Sequence, residues 1–119
     1  MKKTLILGAS TNTSRYAYIA ANDLTKHKHE IVPVGIKKGR VAGVEIINHK
    51  EIIEGIDTIT LYIGPSRQAE WYSYIIDTKP KRLIFNPGTE NSELADLATK
   101  NGIAVEQACT LVMLAIGAY

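Results

Sequence analysis

Cysteine is almost missing. The single one, Cys109, excludes an internal disulfide framework and fits a reducing compartment. Long apolar runs are missing too. The longest, Leu111 to Ile116, falls far short of the roughly 18 residues of a membrane span. The apolar stretch behind Lys2-Lys3 covers about four residues, too short for a signal peptide. The cytoplasm is the expected location. Charge of one sign is not in excess: 14 Lys and Arg against 12 Asp and Glu give a net charge of +2. That balance does not point to a nucleic acid or a membrane surface as partner. No linker, low-complexity tract or internal repeat breaks the chain, so its 119 residues are expected to form one domain, 1–119. No metal-ligand spacing is present. His27 and His29 stand two apart, which does not match a helical i, i+4 pair, and no metal site is expected.

Two local absences narrow the chemistry. After Gly8 the next glycine is Gly35, so the G-x-G-x-x-G dinucleotide fingerprint is incomplete. Between Glu30 and Glu45 there is no Asp or Glu, where an NAD-binding chain places the acid that holds the ribose hydroxyls.

What is present begins with Thr4-Leu5-Ile6-Leu7-Gly8-Ala9-Ser10. An apolar run ends in a glycine, small hydroxyl-bearing residues follow, and a helical pattern starts near Ser14, a good N-cap residue. A helix start leaves N–H groups unpaired and favours an anion, while Gly8 lets a ligand approach the backbone. This reads as a phosphate-holding turn.

Short β-branched runs then alternate with helical stretches. Strands are expected at Thr4–Leu7, Glu30–Val34, Thr58–Ile63, Arg82–Phe85 and Ile103–Val105. Pro33 cannot donate to a ladder and is expected near a strand end. Helices are expected from Ser14 to about His29, from Ser66 to before Pro80, over Ser92–Lys100, and as a buried terminal helix over Cys109–Ile116. Gly43–Ile47 reads as a small extra strand. Asn48-His49-Lys50-Glu51 resembles a capping box and predicts a short helix through Ile53. Trp71 and Tyr74 fall off the apolar face of the second helix and mark a candidate self-association surface, hence a possible homodimer. The alternation predicts an α/β fold: a Rossmann-like, doubly wound, five-stranded, mostly parallel sheet with helices on both faces. Four strand ends meet loops rich in Gly, Pro, Ser and Asn, and in such a sheet ligands bind beyond the carboxyl ends of the strands.

Lys37, Lys38 and Arg40 follow the second strand. Basic residues there accommodate a phosphorylated ribose, so coenzyme A with its 3′-phosphate and NADP with its 2′-phosphate both qualify.

The sequence resembles the small coenzyme A-binding domain family, related to the N-terminal domain of the succinyl-CoA synthetase α subunit. The resemblance rests on Leu7-Gly8-Ala9-Ser10 with Arg15-Tyr16-Ala17-Tyr18, on His29-Glu30-Ile31-Val32-Pro33-Val34, on Phe85-Asn86-Pro87-Gly88-Thr89-Glu90-Asn91, and on Ala108-Cys109-Thr110-Leu111-Val112-Met113-Leu114. It implies a single Rossmann-like domain that binds coenzyme A or a similar nucleotide. Gly35-Ile36 departs from the family's frequent Asn-Pro, and Asn12 from a frequent proline.

The candidate ligand residues are Gly8, Ala9 and Ser10 for the pyrophosphate, Ser14 and Arg15 for phosphate oxygens, and Lys37 and Lys38, at the end of the strand closing with Val34, for the ribose phosphate. Tyr62, Gly64 and Pro65 are candidates for packing on the adenine, and Asn86, Pro87 and Gly88 for a pocket wall. Glu90 is the best single carboxylate for acid–base work, but it has no partner carboxylate. Cys109 reads as core. The expected function is a non-catalytic module that binds coenzyme A or an acyl-CoA. The alternatives are a small NADP-dependent oxidoreductase and a nucleotide-responsive regulator. No helix-turn-helix segment supports a DNA-reading role.

Overall fold

A computed structural model describes all 119 residues. In chain order the elements are β1 (Thr4–Leu7), α1 (Tyr16–Lys26), β2 (Ile31–Val34), a hairpin of β3 (Arg40–Val41) and β4 (Val44–Glu45), and β5 (Thr58–Leu61). Two 3-10 turns follow, Pro65–Arg67 and Ala69–Trp71, and then α2 (Tyr72–Thr78), β6 (Arg82–Phe85), α3 (Ser92–Lys100), β7 (Ala104–Gln107) and α4 (Thr110–Ala115).

The sheet runs β2-β1-β5-β6-β7, with every neighbouring pair parallel. This is the expected Rossmann-like α/β architecture. β1, β2 and β5 are buried at all four positions, as strands covered on both faces must be. Alternation sends Leu5, Leu7, Ile59, Leu61, Leu83 and Phe85 to one apolar cluster with Tyr74, Ile75, Leu94 and Ala98 of α2 and α3. Ile6 faces the other way, into a smaller cluster with Ala17, Ala21 and Leu24 of α1 and Leu114 of α4. No helix is long and apolar enough to cross a membrane.

Pro33 is tolerated inside β2 because of where its missing donor points. Its carbonyl accepts the Ile47 N–H (2.9 Å) on the outer side of the strand, and a residue's N–H and C=O share a side. Gly35 N–H donates to the Ile47 carbonyl (3.0 Å), so Val34 and Ile47 form a lone parallel bridge. Ile47 therefore stands where a further strand beyond β2 would lie. At the opposite edge β7 has no strand on its outer side, and its Ala104 and Gln107 are exposed. The strand order reverses between β1 and β5, which puts the crevice between their carboxyl ends.

Several local expectations need correction. The capping-box helix after Asn48 does not form. The Glu51 carboxylate pairs with His49 Nε2 (2.8 Å), and the Asn48 amide reaches the carbonyls of Gly35 (3.0 Å) and Lys37 (2.8 Å). The Asn48 side chain is turned back onto the loop after β2 and the Glu51 carboxylate is held by His49, so the reciprocal pair of bonds does not form. The expected strand at Gly43–Ile47 is a two-residue arm of a hairpin plus the Ile47 bridge. The second helix is not continuous from Ser66. Its first part is two 3-10 turns, which rotate the following helix so that Trp71 and Tyr74 are buried. Those two aromatics stack edge to face at 5.7 Å in the core and offer no self-association surface. The terminal helix is not wholly buried: Val112 is 55% and Ile116 71% exposed.

Candidate functional site

The β1–α1 turn is tight because Gly8 takes φ +100°, and a methyl group on it would stand 3.1 Å from the Tyr62 carbonyl carbon. The Gly8 and Ala9 N–H groups both donate to the Val34 carbonyl (2.9 Å each). These amides, expected to face a phosphate, are thus engaged by the end of β2. The Val34 side chain is fully buried, and its part in the site is this carbonyl. The amides without a protein acceptor lie one step further on, at Ser10, Thr11, Thr13, Tyr16 and Ala17. Ser14 is not the N-cap. Its N–H (3.0 Å) and hydroxyl (2.7 Å) both donate to Asn12 Oδ1, closing the turn on itself. The N-cap is Arg15, extended at φ −84° and ψ 141°, with no side chain bonded to the helix start. An exposed guanidinium therefore stands beside an open, eleven-residue helix N-terminus, which together favour an anion.

The basic loop after β2 is pressed onto this turn. A methyl group on Gly35 would fall well inside 3.0 Å of the Ala9 carbonyl oxygen, and one on Gly39 equally close to Thr11 Cγ2. Only glycine permits either approach. Asn48 holds the loop from behind through its bonds to Gly35 and Lys37. Lys38 and Arg40 line a cleft of about 340 Å³ with Gly39, Glu45, Ile46 and Asn48. Arg40 Nη2 donates to the Gly43 carbonyl (2.5 Å), which orients it along the hairpin. Lys37 is exposed next to the cleft and does not line it.

Beyond β5 and β6 the first loop residues are uncharged, up to Arg67 and Glu90. Gly64 and Pro65 open the first 3-10 turn, Pro87 and Gly88 are exposed, and the space in front of Gly64 and Gly88 is open. Tyr62 does not face this space. It joins the cluster beneath α1 and α4. Its hydroxyl is buried without a hydrogen-bond partner, and burial pushes its pKa up to about 12. The Thr60 and Thr110 hydroxyls nearby oppose that shift, yet they bond to each other (2.8 Å) and not to the phenol. Asn86, expected in the pocket wall, is 2% exposed. Its Nδ2 donates to Thr60 Oγ1 (2.7 Å) and the Leu61 carbonyl (3.0 Å), and its Oδ1 accepts the Thr110 N–H (2.9 Å). It ties β5, β6 and α4 together under the crevice. Glu90 Oε1 accepts the Gly88 N–H (2.9 Å) and so closes the β6 loop.

Ser10, Arg15, Gly64, Pro65, Pro87 and Gly88 thus stand in the loops that follow the carboxyl ends of β1, β5 and β6, Lys38 lies in the basic loop packed against the first of these, and Val34, Ser14, Tyr62 and Asn86 are engaged within the fold. Sequence reasoning missed Asn48 and Gln68. The polar tetrad after Ile47 was a signal for the first, but one that reads equally well as a helix cap.

A family model described as a CoA binding domain matches residues 2–115. No curated protein matches the chain. Among solved structures, the crystal structure of an uncharacterised protein is 58% identical, with a TM-score of 0.98, covering 100% of this chain and 98% of that one. A hypothetical protein from Pyrococcus horikoshii is 26% identical with a TM-score of 0.85, covering 93% and 80%. A protein from Thermus thermophilus, 20% identical with a TM-score of 0.83 over 99% and 90%, shares the fold.

Proposed function

The chain belongs to the CoA-binding domain family, and from that premise we propose that it binds coenzyme A or an acyl-CoA across the carboxyl ends of β1, β2, β5 and β6, as a module without chemistry of its own. The observation that carries this reading is the contact of two phosphate-seeking elements. Gly39 rests against Thr11, so the cationic loop of Lys37, Lys38 and Arg40 abuts the unpaired amides at the start of α1. One element suits a diphosphate and the other a ribose phosphate, and a ligand carrying both is held at two anchors. The residues present fit that ligand: Ser10, Arg15 and the first amides of α1 on the diphosphate, Lys38 and Arg40 on the 3′-phosphate.

NADP offers a similar pair of anions, but hydride chemistry needs a proton donor at the strand ends. Tyr62 is buried, turned away and hard to ionise, and Glu90 is engaged by Gly88. Both observations favour binding without reaction.

The test is a thermal-shift panel of coenzyme A, acetyl-CoA, 3′-dephospho-coenzyme A, NADP and NAD. A ligand at 100 times its dissociation constant stabilises the fold by about 2.7 kcal/mol. Coenzyme A and acetyl-CoA are expected to shift the transition clearly and NAD hardly at all. Reversing the charge of Lys37 and Lys38 together is expected to weaken coenzyme A more than its dephospho form. No shift with any coenzyme A species overturns the reading.

A further inference from the structure

Gln68 is fully buried, and every other large side chain as completely buried is Leu, Ile or Phe. Burying a glutamine costs side-chain entropy and desolvation that a leucine of similar size would avoid. Here all its polar groups are used in one way. Nε2 donates to the Ile63 carbonyl (2.8 Å) at the end of β5 and to the Thr89 carbonyl (2.8 Å) beyond β6. Oε1 accepts from Asn91 Nδ2 (2.9 Å), whose Oδ1 in turn caps α3 through Glu93 N–H (3.1 Å) and Leu94 N–H (3.3 Å). The backbone bends to allow this: Gln68 lies between the two 3-10 turns that replace the expected first part of the second helix.

We infer that Gln68 is a positioning residue that fixes the Gly64-Pro65 loop and the Pro87-Gly88 loop at one separation, and that this separation selects for the uncharged arm of the ligand. The inference rests on the coenzyme A reading. Arg15, Lys37, Lys38 and Arg40 cluster beside β1 and β2, whereas the loops beyond β5 and β6 carry one charge each, Arg67 and Glu90, of opposite sign, and residues 62–66 and 86–89 between the strands and those charges are uncharged. The phosphates therefore lie at the β1–β2 side, and the pantetheine arm, with its amides, extends between the Gly64-Pro65 and Pro87-Gly88 segments. Both loops are joined to the same buried amide, so neither shifts without the other. A wall set in advance saves the ligand the ordering cost of closing the loops itself.

The test compares coenzyme A with adenosine 3′,5′-bisphosphate, which keeps anionic groups and lacks the arm. Three forms are titrated by calorimetry: wild type, Gln68→Met and Asn91→Asp. The aspartate keeps the acceptor that caps α3 but cannot donate to Gln68 Oε1 or to the Tyr72 hydroxyl, so it removes the third anchor of the glutamine, leaves its two carbonyl bonds in place and keeps the helix cap intact. Coenzyme A affinity is expected to fall about tenfold in Gln68→Met and less in Asn91→Asp, with bisphosphate affinity within about twofold of wild type in both, as loss of pre-organisation at one end predicts. Equal losses for the two ligands, or no loss, overturn the assignment. If the wild type binds neither ligand, the coenzyme A reading itself fails. Amide exchange of the ligand-free protein then still judges the latch. Gln68→Met is expected to speed exchange in 64–68 and 87–91 together, and a change confined to one loop refutes it.

Discussion

Gly35→Ala perturbs the junction on which the proposed site depends. Gly35 has an ordinary backbone conformation, so the substitution brings no strain of its own. What it brings is a methyl group well inside 3.0 Å of the Ala9 carbonyl oxygen. That oxygen belongs to a peptide unit whose neighbours are clamped, because the Gly8 and Ala9 N–H groups share the Val34 carbonyl and Gly35 N–H is bound to Ile47. No side-chain rotation relieves the clash. The basic loop and the first turn must part by more than half an ångström, and overpacking of this kind costs about 1–3 kcal/mol. Urea unfolding is expected to show the midpoint lowered with an unchanged m-value. The displacement also separates the two anchors, so coenzyme A affinity is expected to fall about tenfold, or about 1.4 kcal/mol. Gly39→Ala is the internal contrast. It meets a side-chain methyl of Thr11, which Thr11→Ser removes, so the double variant recovers part of the loss. A Gly35→Ala protein within about 0.5 kcal/mol of wild type, the range of an ordinary surface substitution, with unchanged affinity refutes the reasoning.

Two further outcomes follow from the buried polar groups. Tyr62 is pushed up to about 12 in the folded protein against 10.0 unfolded, so its contribution to stability is intact below pH 10 and lost as pH rises toward 12. Tyr62→Phe is expected to flatten that alkaline loss and to leave stability at pH 7 unchanged or raised by up to about 1 kcal/mol, since an unpartnered hydroxyl is removed. Identical pH profiles of wild type and variant between pH 10 and 12 would count against it. Asn86→Ala strips partners from Thr60, the Leu61 carbonyl and the Thr110 N–H, and is expected to cost about 3 kcal/mol by chemical denaturation. A cost below about 1 kcal/mol would mean these groups find water instead.

The sheet was legible because β1, β2, β5 and β6 are β-branched or leucine-rich runs bounded by Gly, Pro and Asn, and local pattern alone carries that information. The loops at the carboxyl ends of the strands followed from where those punctuating residues fall. The identity of the free amides was not legible. Which N–H of Gly8-Ala9-Ser10 remains unpaired depends on the Val34 carbonyl, some 25 residues away along the chain. Gln68 was hidden for a similar reason. In a helical pattern a glutamine between Arg67 and Ala69 reads as solvated, and only the partners Ile63, Thr89 and Asn91 turn it inward. The same holds for Asn48, whose long-range bonds outcompeted a plausible local cap.

The sheet closes one rim and leaves the other bare. Ile47 shields β2, while the outer backbone groups of β7 meet no other strand. Such a rim can template association with another extended chain. Here it is only four residues long, and Glu106 sits within it, bound to Arg82 at 3.1 Å. Neutralising that carboxylate removes the one charged side chain of β7 itself and leaves Arg82 of the neighbouring strand without its carboxylate partner. Glu106→Val is therefore expected to favour edge-to-edge association at high concentration, seen as light scattering that the wild type does not show.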